Sequence, residues 1–191
     1  MHLADSLRWL FMRYQVFVLN LFGLTTPAVQ RLTDMRVLRP KDFFVLTTLA
    51  HFWGQERQTR PEAISLIRQA IEQQVDNPGL HFNLGFLLEQ QGLLVEAEAS
   101  FRRALHLDDK LDRAWYGLGL VLIQQGRSEE ALAALKRNTE LQPMSPFGWY
   151  QLARVHFDRQ ESEQTLAIIR HLQGFEPKVA EQLKRETGLK P

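Results

Sequence analysis

A chain of 191 residues is long enough for one domain, or for one domain with an appendage. Its composition, 45% hydrophobic and 24% charged, is ordinary for a soluble globular protein, and the lack of cysteine excludes disulfides, thiolate zinc sites and cysteine nucleophiles. The net charge of +1 provides no global attraction to nucleic acid. The charge is uneven, however, because residues 1–41 hold six Lys/Arg and two acids, whereas the rest of the chain holds 17 basic and 20 acidic side chains.

Residues 3–22 are predicted to form a helix that stops at Gly23, since glycine favours helix C-termini. At about 100° per residue, most of the large apolar side chains fall on one continuous half of this helix. They are Leu3, Leu7, Leu10, Phe11, Tyr14, Phe17, Val18, Leu21 and Phe22. The other half is polar except for Trp9, Met12 and Val16. A helix that is apolar on both sides usually contacts something on both sides.

Two roles for this helix follow from the pattern. It either caps the helices that come next, or it serves as an interfacial membrane helix, a partner-binding arm or a dimerising arm. Neither a signal peptide nor a membrane span is predicted. Asp5 and two arginines interrupt the apolar stretch and no A-x-A-like cleavage site follows it. The stretch from Trp9 to Leu24 is shorter than the roughly 20 apolar residues that are needed to span a bilayer.

Three further helices are predicted before the clearest part of the sequence. Thr26 is expected to cap the first of them, with Pro27 at its first helical position, and that helix should end before Pro40. Asp42 is expected to cap the next, which runs to about residue 53. Thr59 opens the last, which runs to about residue 74.

From residue 77 to residue 177 the sequence repeats with a constant period. Three sets of residues recur at this spacing: Leu84-Gly85, Leu118-Gly119 and Leu152-Ala153; Ala97, Ala131 and Thr165; and Asp109, Pro143 and Pro177. A fixed period of about 34 residues indicates a solenoid of stacked supersecondary units. Ala63, Ile67 and Ala70 stand one period before Ala97, Phe101 and Ala104, so a degenerate repeat precedes the clear ones.

Each unit is predicted to contain two helices. Gly92 and Gly126 end the first helices of two units, while the third unit has Gln160 at the equivalent position. Glycine inside a helix costs roughly 1 kcal/mol relative to alanine. Its recurrence at Gly85 and Gly119 therefore suggests that small residues let paired helices approach closely, while large residues such as Phe101 fill the space between units.

These residues resemble the tetratricopeptide repeat. Trp115-x2-Leu118-Gly119 with Ala131 and Pro143 is a close match, and Trp149-x2-Leu152-Ala153 with Thr165 and Pro177 is a good one. The unit from Pro78 has His81 in place of the tryptophan. The resemblance implies an all-α, right-handed solenoid of antiparallel helix pairs, in which first helices line a concave groove that binds proteins or peptides.

This interpretation divides the chain into three parts. Residues 1–41 form an N-terminal helical extension that caps, anchors or dimerises. Residues 42–177 hold the repeats, with a degenerate copy at 44–77 followed by 78–111, 112–145 and 146–177. Residues 178–191 form a C-terminal capping helix and tail, whose polar outer face closes the stack.

The resemblance also places nine residues along the wall of the partner groove. They are Phe82, Asn83, Phe86, Tyr116, Leu120, Ile123, Tyr150, Arg154 and Phe157. The charged side chains with which one chaperone-binding subclass of the family grips a C-terminal carboxylate are absent, so no chaperone tail is expected. An aromatic, mostly uncharged groove instead suits an apolar or amphipathic partner segment. Two alternatives are that these residues pack between helices, or that residues 1–22 fill the groove.

Basic residues recur at the repeat spacing on the second helices, where they would form a stripe toward the convex side. They are Arg102, Arg103, Lys136, Arg137 and Arg170. A solvated, ion-paired face is the expected explanation, and contact with acidic protein, anionic lipid or nucleic acid is the alternative. The six histidines have no metal-binding spacing, and no catalytic or cofactor motif is present.

The sequence therefore predicts a non-enzymatic adaptor without metal or cofactor, located in the cytoplasm and acting through protein partners. Two other functions stay open: a peripheral membrane assembly factor anchored by residues 1–22, and a polyanion- or RNA-binding protein. Of these, nucleic acid is disfavoured by the charge. Homodimerisation stays open as well.

Overall fold

The computed structural model describes residues 3–189, and all regular secondary structure in that range is helical. The helices are α1 (Leu3–Leu21), α2 (Thr25–Leu38), α3 (Phe43–Gly54), α4 (Arg60–Gln73), α5 (Pro78–Gln90), α6 (Leu94–Leu107), α7 (Asp112–Gln124), α8 (Ser128–Leu141), α9 (Pro146–Asp158), α10 (Ser162–Gln173) and α11 (Pro177–Thr187). The predicted all-α class is confirmed. The extreme ends of the predicted N-terminal extension and C-terminal tail lie outside the described residues.

The helices belong to two compact units, and the boundary between Leu87 and Leu88 falls inside α5. In the first unit α1 packs on α2, α2 on α3, and α3 on α4. In the second unit each helix from α6 to α10 packs on the next, and α11 packs on both α9 and α10. Packing of each element on its neighbours in the chain is the arrangement of an α-solenoid, as the period of the sequence predicted.

The repeats share a short turn that joins their first and second helices. Gly92 (φ +81°) and Gly126 (φ +73°) lie at its centre, in a left-handed conformation where glycine has no Cβ to clash. The amide of the next residue donates to the carbonyl five positions earlier and so closes the end of the first helix. These bonds join Leu93 to Leu88 and Arg127 to Leu122, each at 2.9 Å.

The third repeat has the same turn although Gln160 replaces the glycine. Gln160 has a φ of +63°, and the Glu161 amide donates to the His156 carbonyl at 2.9 Å, as in the other turns. A side chain in this conformation costs about 1–2 kcal/mol. The turn therefore forms because the flanking helices fix it, and not because Gln160 favours it.

The hairpin of α1 and α2 has this turn as well. Gly23 has a φ of +68° and the Leu24 amide donates to the Leu19 carbonyl at 2.8 Å. The predicted helix stop at Gly23 is confirmed. The predicted cap at Thr26 is wrong, because this turn makes Leu24 the N-cap and α2 begins at Thr25. The first helix pair thus shares the turn of the repeats without sharing their sequence landmarks.

One predicted cap is present and another threonine has a different role. The Asp42 carboxylate accepts a hydrogen bond from the Val45 amide at 3.2 Å, which confirms its role as N-cap of α3. Thr59 precedes α4 but does not cap it with its side chain. Its hydroxyl instead donates to the Trp53 carbonyl at 2.7 Å, which ties the start of α4 to the end of α3.

Small residues permit the close helix packing that the sequence predicted in the second unit. A Cβ on Gly119 of α7 would lie 2.8 Å from two carbon atoms of the Leu135 side chain on α8. A Cβ on Gly117 would lie 2.5 Å from the ring of Phe101 on α6. Both Leu135 and Phe101 are fully buried, so neither could move aside without disturbing the core.

His81 takes over the contact made by tryptophan in the other repeats. The indole N–H groups of Trp115 and Trp149 each donate to the carbonyl six positions earlier, at 2.8 and 2.9 Å. In the first unit, the His81 Nε2 lies 2.7 Å from the carbonyl of Val75, which is also six positions earlier. Because a carbonyl only accepts, Nε2 is the protonated nitrogen. His81 is buried, so it packs in the core at this position.

Replacing Gln160 with glycine should stabilise the protein, because the left-handed conformation then carries no side chain. We expect a gain of roughly 1 kcal/mol in the free energy of unfolding, measured by urea denaturation. The reverse change in the equivalent turn, Gly126→Gln, is the matched control and should lose a similar amount. A loss of stability in Gln160→Gly would contradict this explanation of the turn.

Candidate functional site

Six of the nine predicted groove residues lie in the second unit, at equivalent positions of its first helices. Tyr116, Leu120 and Ile123 are on α7, and Tyr150, Arg154 and Phe157 are on α9. The five apolar members are partly buried. Tyr116, Ile123 and Tyr150 pack on the core cluster that contains Leu135 and Leu152, while the rest of each side chain remains accessible. Each of these side chains therefore contacts the core with one part and solvent with another.

Tyr150 and Arg154 also contact the last helix of their own unit. The Tyr150 hydroxyl lies 2.8 and 3.0 Å from the two carboxylate oxygens of Glu186 on α11, and Arg154 donates to the same carboxylate at 3.3 Å. Gln182 donates to it at 2.8 Å. Hydrogen bonds from Gln182 and Tyr150, together with the nearby guanidinium, hold the pKa of Glu186 below its usual value. At this end of the predicted groove, Tyr150 and Arg154 are therefore already hydrogen-bonded to α11.

The other three predicted groove residues lie on α5, in the part that belongs to the first unit. Phe82 is partly buried, whereas Asn83 and Phe86 are exposed. An exposed phenylalanine beside an exposed asparagine gives α5 a mixed apolar and polar outer surface.

Two of the five residues of the predicted basic stripe, Arg102 and Arg137, form ion pairs with acidic side chains on the second helices. Arg102 contacts Glu98 at 2.9 Å and Glu130 at 3.0 Å, and Arg127 contacts the same two glutamates at 2.6 and 2.7 Å. Two glutamates and two arginines therefore form one network across α6 and α8. Elsewhere in the stripe, Arg137 pairs with Glu140, while Lys136 and Arg170 are exposed.

The network lowers the pKa of both glutamates. Burial alone would raise the pKa of Glu98, but hydrogen bonds from Arg102 and Arg127 outweigh that effect and hold it below its ordinary value. The hydrogen bond from Arg127 has the largest effect on Glu130, whose pKa is also lowered. Arg127 in turn has a raised pKa because both glutamates accept from it. On α6 and at the start of α8, acidic and basic side chains therefore compensate each other.

The side of α1 that packs on the first unit is the one opposite its wide apolar half. Trp9, Met12 and Val16 are buried, at 2–8% exposure. The guanidinium of Arg39 stacks over the Trp9 ring, 4.2 Å from its centroid. The wide half instead faces outward as a surface that we call the outer face, whose members are 59–71% exposed. They are Leu7, Leu10, Phe11, Tyr14, Phe17, Leu21 and Phe22.

Two apolar grooves flank the outer face. One, of about 840 Å³, lies between α1 and α3 and is lined by Leu10, Tyr14 and Phe44 among others. The second, of about 530 Å³, lies between α1 and α2 and shares Phe11 and Tyr14. The sequence pattern indicated the apolar half that forms this surface but not its exposure. The Leu3 side chain, also assigned to that half, lies outside the described part of the chain.

Two kinds of site are absent from the part of the chain that the structure describes. No group of three or more His, Asp or Glu side chains there could hold a metal ion. No helix among those residues is both long and apolar enough to cross a membrane.

Stacked antiparallel helix pairs with a shared turn and small residues at their contacts define a helical-repeat protein. The family model described as tetratricopeptide repeat matches residues 53–112 and 110–146. Residues 53–146 therefore contain tetratricopeptide repeats, as the sequence resemblance implied.

Solved structures share this fold at low sequence identity. A tetratricopeptide repeat protein from Parabacteroides merdae superposes with a TM-score of 0.80 at 17% identity, over 94% of this chain and 73% of that one. Pseudomonas aeruginosa PilF gives 0.72 at 20% identity, over 97% and 94%. YrrB, described as a TPR protein with an unusual peptide-binding site, gives 0.73 at 18% identity, over 89% and 88%. A comparison with curated proteins found no match.

The network of Glu98 should make stability depend on pH. Because the pKa of Glu98 is lowered in the folded state, its contribution is complete above the ordinary glutamate pKa of about 4.3 and is lost as pH falls through the lowered value. Glu98→Gln should therefore unfold at lower urea than the wild type at pH 7, and this difference should shrink toward pH 3. The control is Glu72→Gln, at an exposed position outside the network. A difference that is independent of pH would contradict the assignment.

Proposed function

We propose that this protein is a non-enzymatic scaffold that binds an apolar or amphipathic segment of a partner protein on the first helices of its repeats. Its fold is that of tetratricopeptide repeat proteins, which bind protein or peptide partners. The observation that carries the proposal is the row of partly exposed apolar side chains on α7 and α9, where Tyr116 and Tyr150 occupy the same place in successive repeats.

The character of the two helix surfaces in the second unit supports a partner on the first helices. Those helices present aromatic and aliphatic side chains whose inner parts are held by the core. Such anchored side chains lose little conformational freedom on binding, which is typical of the residues that dominate interface energies. On the second helices, in contrast, α6 and the start of α8 carry ion pairs with each other, and exposed ion pairs contribute little free energy.

The contacts of α11 limit where the partner binds. Tyr150 and Arg154 already hold the Glu186 carboxylate, so a partner that used them would have to replace those hydrogen bonds. We therefore propose Tyr116, Leu120 and Phe157 as the principal anchors. An amphipathic helix offers apolar side chains at spacings of three and four positions that suit such a surface.

A second candidate function is attachment to a membrane surface through residues 1–22, in addition to scaffolding. The outer face of α1 is the observation that favours it. Binding of polyanions along the basic stripe has no comparable support, since Arg102 and Arg137 are ion-paired. The proposed compartment is the cytoplasm, because a chain without cysteine is compatible with reducing conditions.

Mutation of the principal anchors tests the scaffold. We expect Tyr116→Gln/Leu120→Gln to weaken capture of the partner at least tenfold, because apolar anchors at an interface commonly contribute about 2 kcal/mol or more. Capture from cell extract, identification by mass spectrometry and titration of the purified partner would measure the effect. Because both side chains are partly buried and Tyr116 packs on the core, the urea midpoint should fall somewhat. Circular dichroism should show that the variant is still folded under the conditions of the titration.

The matched control changes exposed residues of the second helices, Lys136→Gln/Arg170→Gln, and should leave capture unchanged. Equal loss in both variants, or loss only in the control, would contradict binding on the first helices.

A further inference from the structure

The outer face of α1 is a large exposed apolar patch. It holds seven large side chains, four of them aromatic, each with more than half of its surface exposed. Since an aromatic side chain has roughly 150–250 Å² of surface, the face presents several hundred Å². The largest patch on a typical monomer is about 300–600 Å² and is often functional. In water this surface is costly, so it is expected to be covered.

We propose that the outer face of α1 docks on an anionic lipid bilayer, with the helix lying parallel to the membrane surface. This inference rests on the second candidate function, attachment to a membrane surface, and specifies its lipid class and geometry. A helix of 19 residues is about 28 Å long at about 1.5 Å per residue. Lying flat, it would place the outer face in the boundary between headgroups and acyl chains.

The arrangement of polar side chains around α1 supports a lipid surface. At about 100° per residue, the outer face and the buried Trp9 side are roughly opposite. Each of the two seams between them contains an arginine and a polar amide side chain. Arg8 and Gln15 fall on one edge, and Arg13 and Asn20 fall on the other. Arginines on both edges of an inserted apolar face can reach lipid phosphates while their stems cover apolar surface.

Contacts in the first unit keep one of these arginines at the edge. The Arg13 guanidinium lies 4.3 Å from the centroid of the Phe44 ring, beside the groove between α1 and α3. The cation–π contact holds the charge next to the apolar surface without neutralising it. A positive charge fixed at that position is well placed to meet an anionic headgroup.

Charge also distinguishes the membrane from a second copy of this chain. Arg8 and Arg13 lie on the edges of the outer face, and Arg31 and Asp34 line the groove between α1 and α2 beside it, which leaves an excess of positive charge. A two-fold symmetric dimer through α1 would bring this excess positive charge against itself, because both partners use the same surface. An anionic bilayer has the opposite charge and attracts such a segment, by about 1 kcal/mol for each arginine or lysine near the surface.

Vesicle flotation tests the proposal with the full-length chain. Vesicles of phosphatidylcholine alone should bind it at least tenfold more weakly than mixed vesicles in which phosphatidylglycerol replaces one lipid in three. Phe11→Gln/Phe17→Gln should lose at least tenfold in binding to the mixed vesicles, because it removes two large members of the outer face. Arg8→Gln/Arg13→Gln should lose roughly 25-fold on mixed vesicles, about fivefold per arginine, and little on neutral ones.

A matched control replaces apolar residues that are equally exposed in the second unit. Val95→Gln/Phe147→Gln, at 78% and 68% exposure, should float like the wild type. Circular dichroism and urea midpoints should show that all variants remain folded, since every phenylalanine changed is exposed.

Each other outcome overturns a defined part of the proposal. Equal binding to neutral and anionic vesicles would reject the anionic lipid class but leave membrane attachment intact. No binding to either would reject membrane attachment, while the partner-capture experiment would still decide the scaffold function. A stable dimer in analytical ultracentrifugation that Phe11→Gln/Phe17→Gln converts to monomer would assign the outer face to a second copy.

Discussion

The close packing of helices in the second unit depends on two glycines, Gly117 and Gly119, which have no Cβ atom. They let α7 come so close to α6 and α8 that the Phe101 ring and the Leu135 side chain fill the space a Cβ would need. Dispersion and burial at such contacts outweigh the roughly 1 kcal/mol that each glycine costs inside a helix. Once α7 is fixed in this way, the positions of its neighbours follow, because α6 and α8 both pack on it.

The charge network is a consequence of the same packing. Glu98 and Arg102 lie on α6, Glu130 lies on α8, and Arg127 lies in the turn that leads into α8. The network can form only if the two second helices stand side by side at a distance set by α7. Charges therefore compensate each other on this surface, while apolar side chains on the first helices have no such partners. This contrast supports the proposal that a partner binds on the first helices.

In the first unit, α1 exposes more apolar surface than it buries. Helix α1 is held by three buried side chains and by the stacking of Arg39 on Trp9, while more of its large apolar side chains are exposed than buried. A helix attached by its narrower apolar side leaves its wider side available for another surface. The surface that we propose for lipid binding therefore lies in the first unit, and the principal anchors that we propose for a protein partner lie in the second.

Much of the fold could be predicted because the period of the sequence is also the period of the structure. The first helices begin at Pro78, Asp112 and Pro146 and the second helices at Leu94, Ser128 and Ser162, all at the spacing of the sequence repeat. The exposure of the outer face could not be predicted in this way. Helical periodicity shows which side chains share a side of α1, but both sides are apolar, and only tertiary contacts such as Trp9 with Arg39 decide which side is buried.

For the candidate site, the sequence likewise predicted the positions that follow the repeat but not the contacts between distant residues. The positions of Tyr116, Leu120 and Phe157 on first helices follow from the repeat. The contact of Glu186 with Tyr150, in contrast, joins residues far apart in sequence that no local pattern relates. The turn residue Gln160 shows the reverse case, in which a local preference for glycine was overridden by the packing of the helices around it.

The repeated turn also limits how genes for such a chain can vary. In four hairpins a turn of the same length connects the helices, and a hydrogen bond from its last residue closes the preceding helix. A replacement such as Gln160 leaves this bond in place. An insertion or deletion of one residue would break it and rotate the following helix by about 100°, turning its buried side chains toward solvent. These turns should therefore tolerate substitution but keep their length, whereas the longer connection between α3 and α4 is free of that restriction.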